Sequence, residues 1–324
     1  MKLLIMSDFN PSVTIKIGEN LSNLLKNSDF ILFNLEGSPN FASFNNKKNQ
    51  ILKFDVEAFY NFLYKYGVNK FIVSIANNHI LDNGIGNFKR FLNFLDSKGI
   101  KYVGSKSIPF IEIEDFLIYS VVSWETGITE PYFKYLNSLK FNHDKVQKII
   151  DNNLDKKIII YPHWGMDLYQ KPTKNHMDFV NKNIKKNNVY IYGHHPHLII
   201  ENDSKVNYLF SLGNTYVPHP NYYQRFHKPL RCSKAVLLTT ISKSVSVSFI
   251  NIFYDANKLD VVTNINQKDI ILKGNLRKFP RPKGITIYDY FLKSLLKTTN
   301  IITSSKIYRY FRNKTKNKSI EVNL

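Results

Sequence analysis

A continuous apolar run passes directly into polar side chains in the stretch FIVSIANNHILD, residues 71–82. Uninterrupted apolar runs of roughly four to eight residues are typical of strands that are covered on both faces of a sheet. Asn77, Asn78 and His79 follow this predicted strand, and Asp82 comes three residues later. In open α/β sheets, ligands bind at the carboxyl ends of the strands. The stretch therefore predicts a buried strand that delivers amide, imidazole and carboxylate groups to a binding edge.

Four further predicted strands end in the same kinds of side chain. The run 2–6 leads to Asp8, the run 30–33 to Asn34 and Glu36, the run 158–161 to His163, and the run 189–192 to His194, His195 and His197. Taken singly, each group has an ordinary explanation, such as a turn cap or a hydrogen-bonded core histidine. Their joint occurrence at the ends of five strands favours one shared site.

The rest of the first 215 residues alternates short apolar runs with helical patterns. The opening strand spans 71–75, further strands are predicted at 116–122 and 208–211, and helices follow from apolar stripes at 56–63 and 88–95. Strands that alternate with helices indicate an α/β domain. Later in the chain, the pattern predicts a long loop near the site at 216–231, a hairpin of 235–241 with 244–250, an amphipathic helix at 285–296 and a further helix at 307–311.

Composition excludes several classes of protein. Apolar residues make up 43% of the 324 residues, which excludes an intrinsically disordered chain. The single cysteine, Cys232, excludes an intramolecular disulfide and a thiolate zinc cluster. No apolar run approaches the roughly 18 residues of a membrane span, and the apolar stretch 3–6 is short for a signal segment. A cytoplasmic location is therefore the expectation.

Positive charge is concentrated near the end of the chain. The net charge is +20, and residues 271–324 carry 13 Lys and Arg against two acidic residues. We therefore predict a domain over 1–270 and a basic, partly helical extension over 271–324. An anionic membrane surface at the inner face is one partner for this extension, and a solvated tail is the alternative. Nucleic acid is disfavoured because the sequence has no nucleic-acid motif.

The residue types at the strand ends have a chemistry in common. Carboxylate, amide and imidazole groups suit divalent Mn, Fe or Zn. Two such ions about 3.5–4 Å apart can clamp a phosphoryl group and activate water for in-line attack. In the sequence His195-Pro196-His197, an extended backbone would send the two rings to opposite sides, so a turn is required if both are ligands.

Five motifs together resemble those of the bacterial capsule synthesis CapA family, the poly-gamma-glutamate capsule domain. They occur in family order and cover residues 2–216. They are the sequences NLE at 34–36, ANNHILDNG at 76–84, HWG at 163–165, GHHPH at 193–197 and YLFSLGN at 208–214.

The resemblance implies a fold similar to that of calcineurin-like metallophosphatases, a four-layer αββα sandwich with two metal ions at the strand ends. The metal ligands that it implies are Asp8, Glu36, Asn78, His163, His195 and His197. The catalytic candidates are His79, Asp82 and His194, although the resemblance gives His194 no specific role. The chain departs from the pattern at Ser7, at Asn10, where metallophosphatases have a histidine, and at Asp167.

Two functions remain open at this stage. The first is a metal-dependent phosphoesterase-like hydrolase that acts on a phosphorylated or polyanionic substrate in capsule, poly-gamma-glutamate or polysaccharide biosynthesis. The second is a non-catalytic factor that binds metal or polyanion during capsule assembly. Family resemblance does not decide between them, because function is a property of the site and not of the fold.

Overall fold

The computed structural model describes residues 1–11, 15–41, 52–128, 131–139, 143–169, 171–201, 206–217, 231–242, 244–255 and 258–262. The predicted loop at 216–231 falls mostly outside this part of the chain. The predicted domain boundary at 270 and both predicted helices of the extension fall wholly outside it. No helix within the described part is both long enough and apolar enough to cross a membrane.

Six α-helices are found in the described part of the chain. Their bounds are α1 Glu19–Asn27, α2 Val56–Tyr66, α3 Ile85–Ser97, α4 Tyr132–Tyr135, α5 Asp144–Asp151 and α6 Lys174–Asn183. The Asp55 side chain caps α2 by accepting from the Ala58 amide. The predicted stripes at 56–63 and 88–95 fall on α2 and α3, and most of their apolar residues are buried, with Tyr60 and Leu92 partly buried.

The same residues contain nineteen strands. They are β1 Lys2–Phe9, β2 Lys16–Ile17, β3 Phe30–Leu35, β4 Ser38–Asn40, β5 Lys53–Asp55, β6 Phe71–Ser74, β7 Lys101–Val103, β8 Phe110–Ile113, β9 Phe116–Ser123, β10 Ser138–Leu139, β11 Lys157–His163, β12 Val189–Tyr192, β13 Ile199–Ile200, β14 Tyr208–Leu209, β15 Ser211–Leu212, β16 Asn214–Tyr216, β17 Cys232–Ile241, β18 Ser244–Asp255 and β19 Lys258–Val261.

Two large sheets organise the strands. One has the order β2-β19-β18-β17-β1-β3-β6-β7, with β16 also pairing with β1. The other has the order β10-β9-β11-β12-β14, with β8 pairing with β9. Strands β1, β3, β6 and β7 are mutually parallel, as are β9, β11, β12 and β14. The α/β prediction is confirmed, and so is the hairpin, because β17 pairs with β18 through Ile241 and Ser244.

Alternate residues of the central strands contribute to different apolar clusters. Leu3 and Ile5 of β1 join Ile118 of β9 and Ile159 of β11 in a cluster that draws on both large sheets. Leu4 of β1 instead joins the buried faces of α1, α2 and α3. The outer residues of β9 and β11 pack with α5 and α6. The continuous apolar runs are thus explained, since these strands are buried on both faces.

The predicted strand 208–211 is divided between the six-stranded sheet and a small sheet. β14 pairs with β12, whereas β15 pairs with β13. The break falls at Phe210, whose backbone carbonyl accepts a hydrogen bond of 2.9 Å from the indole of Trp164. This contact ties the end of β11 to the loop after β14, and it lies directly behind the histidines that follow β12.

Close packing around this contact leaves no space for a side chain at Gly193. A Cβ there would lie 2.1 Å from the Phe210 carbonyl oxygen and 2.3 Å from Trp164 Nε1. We expect Gly193→Ala to lower the free energy of unfolding by about 1–3 kcal/mol or more, because a backbone atom cannot move aside cheaply. Urea unfolding of the two proteins measures the difference.

Gly86 in α3 provides the matched control, because a Cβ there meets nothing within 4 Å. We expect Gly86→Ala to leave the stability unchanged or to raise it by up to about 1 kcal/mol, since alanine is the better helix former. Equal stability of the two alanine variants would contradict the close contact assigned to Gly193.

Candidate metal centre

Two buried carboxylates lie side by side at the ends of neighbouring parallel strands. Asp8 is near the end of β1, Glu36 directly follows β3, and neither is exposed. The strand register places Asn34 opposite Asp8. The Asn34 amide nitrogen donates to Asp8 Oδ1 at 2.8 Å and to Glu36 Oε2 at 2.7 Å. One side-chain amide therefore holds two acidic groups together away from water.

Two histidines from the other large sheet face these carboxylates. His163 is the last residue of β11, His194 lies just after β12, and the two residues form an isolated parallel bridge. Their Nδ1 atoms are 2.9 Å apart, and His194 Nδ1 is 2.8 Å from Asp8 Oδ1. His163 Nδ1 is 3.8 Å from both Asp8 Oδ1 and Glu36 Oε2. Asp8, His163 and His194 thus form a group that could hold a metal ion.

Asn78 orients the His163 ring. Its Nδ2 donates to the Thr126 carbonyl at 3.0 Å, and that carbonyl can only accept. The Asn78 Oδ1 atom therefore faces His163 Nε2, at 2.9 Å. With Nε2 protonated and donating to the amide, the lone pair of His163 lies on Nδ1, toward Asp8 and Glu36. An outer hydrogen bond of this kind fixes the tautomer of metal-binding histidines.

The segment His195-Pro196-His197 makes the turn that two ligands in this sequence require. His195 has φ 101° and His197 has φ 59°, both in the left-handed region. The two ring centroids are 5.9 Å apart, and the His163 and His195 centroids are 4.5 Å apart. His197 Nδ1 is 2.6 Å from Asn214 Oδ1 and 3.5 Å from Asp8 Oδ2. Both rings consequently lie on the pocket side.

His79 and Asp82 lie at the more open side of the pocket. His79 Nδ1 is 2.8 Å from Asp82 Oδ2. His79 Nε2 is 4.0 Å from Glu36 Oε1. The His79 side chain is 33% exposed and the Asp82 side chain is 27% exposed. A group bound at the carboxylates would therefore meet His79 on the side that faces solvent.

Several buried polar atoms of the pocket have no hydrogen-bond partner among the residues that the structure describes. They are Glu36 Oε1, His194 Nε2 and both ring nitrogens of His195. Each buried polar atom without a partner costs about 1–3 kcal/mol. Four in one pocket indicate that a bound group completes the site.

The donor set fits a divalent cation. The separations among Asp8 Oδ1, His163 Nδ1 and His194 Nδ1 run from 2.8 to 3.8 Å. A tetrahedral ion with bonds of about 2.0–2.1 Å would set its ligands about 3.3 Å apart. Imidazole nitrogen with carboxylate oxygen is the ligand combination that Mn, Fe and Zn share.

Burial and neighbouring charge shift the titration of the pocket. Burial opposes ionisation of Asp8, but the charge and hydrogen bond of His194 lower the Asp8 pKa to about 2. Burial, together with the adjacent Asp8, raises the pKa of Glu36 well above its usual value. Burial lowers the pKa of His163 far below its usual value and the pKa of His195 to about 3. The imidazoles of His163 and His195 are therefore neutral and able to offer lone pairs.

The structure brings most of the predicted site residues into one pocket. Asp8, Glu36, His163, His194, His195 and His197 are all buried there. Asn78 contacts His163, while His79 and Asp82 form a pair at the opening. Asn10, a position at which the chain departs from the expected motif, donates its side-chain amide to the Glu36 carbonyl at 2.6 Å. Asn10 thus stabilises the backbone at Glu36 through a hydrogen bond.

The sequence patterns did not reveal a second buried network beside the pocket. His176 Nε2 is 2.5 Å from Glu125 Oε1, and His176 Nδ1 is 2.9 Å from His143 Nε2. Glu125 also accepts from the Gly165 amide, at 3.1 Å. Burial opposes ionisation of Glu125, but its hydrogen bond with His176 lowers the Glu125 pKa to about 2. The network fixes the loop that follows His163.

His143 makes this network sensitive to pH. Burial, reinforced by His176, lowers the pKa of His143 from 6.5 to about 4. The unfolded chain therefore takes up a proton at a higher pH than the folded chain does, and stability falls as the pH drops from 6.5 toward 4. Both proteins should have a lower free energy of unfolding at pH 5 than at pH 7. We expect this decrease to be smaller by roughly 2 kcal/mol in His143→Gln than in the wild-type protein, because the variant lacks the titrating group.

Urea unfolding of both proteins at the two pH values measures this difference. A chelator in every sample keeps metal release from contributing. If the wild-type protein and the variant lose the same free energy between pH 7 and pH 5, His143 does not titrate as described.

Three comparisons with known proteins bear on this geometry. Residues 12–109 match a family model described as bacterial capsule synthesis protein PGA_cap. The search of curated proteins finds no match. The chain is similar to one crystal structure, and the similarity covers 76% of this chain and 98% of the other chain. The two chains are 10% identical in sequence, and the TM-score is 0.42.

The matched segment contains the NLE and ANNHILDNG motifs, which supply Asn34, Glu36, Asn78 and His79. Over residues 12–109, the chain carries the sequence pattern of the bacterial capsule synthesis protein family, as its motifs predict.

Proposed function

We propose that this protein is a metal-dependent phosphoesterase that acts on a phosphorylated substrate of capsule synthesis. The observation that carries the proposal is the convergence of Asp8, His163 and His194 beside Glu36 in a pocket with unpartnered buried donor atoms. The match to the capsule synthesis family supports the biological setting. The pocket supports the type of reaction.

We further infer that the layers follow the order helices, sheet, sheet, helices, as in the metallophosphatases. One apolar cluster draws on both large sheets. The two others join helices with residues drawn mainly from one large sheet each, although Val122 of β9 belongs to the cluster of the β1 sheet. The pocket then lies where the carboxyl ends of β1 and β3 meet those of β11 and β12. This order explains why the carboxylates come from one sheet and the histidines from the other.

The buried residues of the pocket offer enough ligands for one divalent ion and, we infer, for a second. Asp8, His163 and His194 would hold one. Glu36, whose Oε2 is 3.8 Å from His163 Nδ1 and whose Oε1 is 4.0 Å from His79 Nε2, would add a carboxylate to the ligands. His195 and His197 would complete the set. When bound, divalent ions polarise a phosphoryl oxygen and lower the pKa of bound water.

The remaining chemistry belongs to the side chains of this chain. In hydrolysis, the water oxygen bonds to phosphorus, the bond from phosphorus to the leaving oxygen breaks, and its electron pair stays on that oxygen. His79 lies at the open side of the pocket with Nδ1 paired to Asp82, so a ring that also carries a proton on Nε2 can give that proton to the leaving oxygen and become neutral. His163 and His195 keep neutral rings, so each would offer a lone pair to a bound ion.

One observation favours a non-catalytic factor as the second candidate. Asn10 stands where metallophosphatases have a histidine, and its amide is engaged with the Glu36 carbonyl. A site that binds metal without turning over a phosphoester would retain the Asp8 group and lack activity. Metal content and hydrolysis must therefore be measured on the same preparation.

We expect the full-length protein to bind Mn or Zn in a ratio of one to two ions per chain and to hydrolyse p-nitrophenyl esters of phosphate. Asp8→Asn and His163→Ala should each lose bound metal and reduce kcat/KM by at least about 100-fold, because metal ions contribute several kcal/mol. Elemental analysis and a phosphoesterase assay measure the two effects.

Asp178→Asn is the matched control, because Asp178 is exposed and pairs only with Lys174 on the same helix among the described residues. Exposed pairs of this kind contribute little to stability. A protein that binds no metal and stays inert in added Mn and Zn would overturn the proposal. A protein that binds metal through Asp8 yet hydrolyses neither a phosphate monoester nor a diester would favour the non-catalytic factor.

A further inference from the structure

Tyr132 contacts the catalytic candidates from outside every motif of the sequence. Its hydroxyl donates to Asp82 Oδ1 at 2.5 Å. The other carboxylate oxygen of Asp82 is 2.8 Å from His79 Nδ1, and His79 Nε2 lies 4.0 Å from Glu36 Oε1. Tyr132, Asp82 and His79 thus form a continuous hydrogen-bonded line that ends at the pocket.

We propose that Tyr132 is a positioning residue that holds Asp82, and through it the His79 imidazole, with Nε2 directed into the pocket. This inference rests on the proposed function. Among the described residues, the Tyr132 hydroxyl is hydrogen-bonded to Asp82 and not to Asp8, Glu36 or the buried histidines. It acts through Asp82, whose two oxygens are divided between the phenol and the imidazole.

The surroundings of Tyr132 fix its hydroxyl in place. Only 8% of the residue is exposed, and it begins the short helix α4. At the C-terminal end of α4, the Leu136 amide donates a hydrogen bond of 2.8 Å to the Tyr132 carbonyl. Burial, with the charge of Asp82, raises the pKa of the phenol, so the hydroxyl keeps its proton and donates it to the carboxylate.

Asp82 needs such a partner because its own segment is open to solvent. The residue lies in a turn, with its amide donating to the His79 carbonyl at 3.0 Å. The His79 and Asp82 side chains are 33% and 27% exposed, so packing alone does not enclose either of them. The Tyr132 hydroxyl holds one carboxylate oxygen and so directs the other toward Nδ1. His79 is then kept in the tautomer that presents Nε2 to a bound substrate.

Tyr132→Phe removes the hydroxyl and keeps the buried ring. We expect kcat to fall about 10- to 100-fold for phenyl phosphate, because loss of orientation weakens proton donation to a poor leaving group. For p-nitrophenyl phosphate, whose leaving group needs little protonation, the fall should be under about threefold. KM and metal content should stay at the wild-type values. His79→Ala should likewise lose more activity on phenyl phosphate than on p-nitrophenyl phosphate. The double variant His79→Ala with Tyr132→Phe should be little slower than His79→Ala alone.

Tyr135→Phe is the matched control, because it makes the same change in the same helix. The Tyr135 ring contacts Phe88 and has Lys89 over its face, on the side of α3. This variant should match the wild-type protein on both substrates. Equal losses on both substrates in Tyr132→Phe, or no loss on either, would overturn the inference.

A spectroscopic measurement tests the positioning without turnover. With ¹⁵N-labelled histidine, the His79 ring signals are assigned as those missing in His79→Ala. We expect the neutral wild-type ring to carry its proton on Nδ1, which leaves Nε2 as the site that takes up and gives the catalytic proton, and we expect Tyr132→Phe to show a mixture of tautomers. Unchanged His79 signals would overturn the inference. If the metal-loaded wild-type protein is inactive on both esters, the proposed function fails, and these signals alone decide the role of Tyr132.

Discussion

The pocket depends on one arrangement, the pairing of two buried carboxylates by a single amide. Asp8 and Glu36 would repel each other strongly in a medium of low dielectric constant. Asn34 donates to both, and its position opposite Asp8 is fixed by the parallel register of β1 and β3. Histidines from the other large sheet then face the pair. Such a cluster is poor for stability alone, and it is understandable as a site built to receive positive charge.

The two large sheets make separate contributions to this cluster. The nine-stranded sheet supplies Asp8 and Asn34, and Glu36 follows its strand β3, whereas the six-stranded sheet supplies His163. The apolar cluster shared by both sheets therefore determines the distance between acids and imidazoles. A bound ion would contact side chains from both sheets, so cation binding and sheet packing would act on the same geometry.

The sequence predicts the strands well because strands that are buried on both faces appear as uninterrupted apolar runs. It predicts the residues of the pocket because parallel strands end at a common edge, although Asp8 proves to lie within β1 and not after it. It does not predict the divided strand at 208–211, which depends on a hydrogen bond from Trp164 to a backbone carbonyl. Glu125, His143 and Tyr132 were missed because each is a single residue whose partner is distant in the chain, and no spacing marks it.

His194 shows why the geometry of a loop must be known before roles are assigned within it. The resemblance gives His195 and His197 as metal ligands and leaves His194 a catalytic candidate without a specific role. In the folded chain, His194 directly follows the strand region and its Nδ1 reaches Asp8. His195 and His197 reach the pocket only because both adopt positive φ, which is unfavourable for residues other than glycine. Backbone strain of this kind persists only where the surrounding structure compensates for it. In this loop, the His195 amide donates a hydrogen bond of 3.0 Å to Asp8 Oδ2, which offsets part of the strain. Asp8 therefore also stabilises the conformation of the loop that carries His195 and His197.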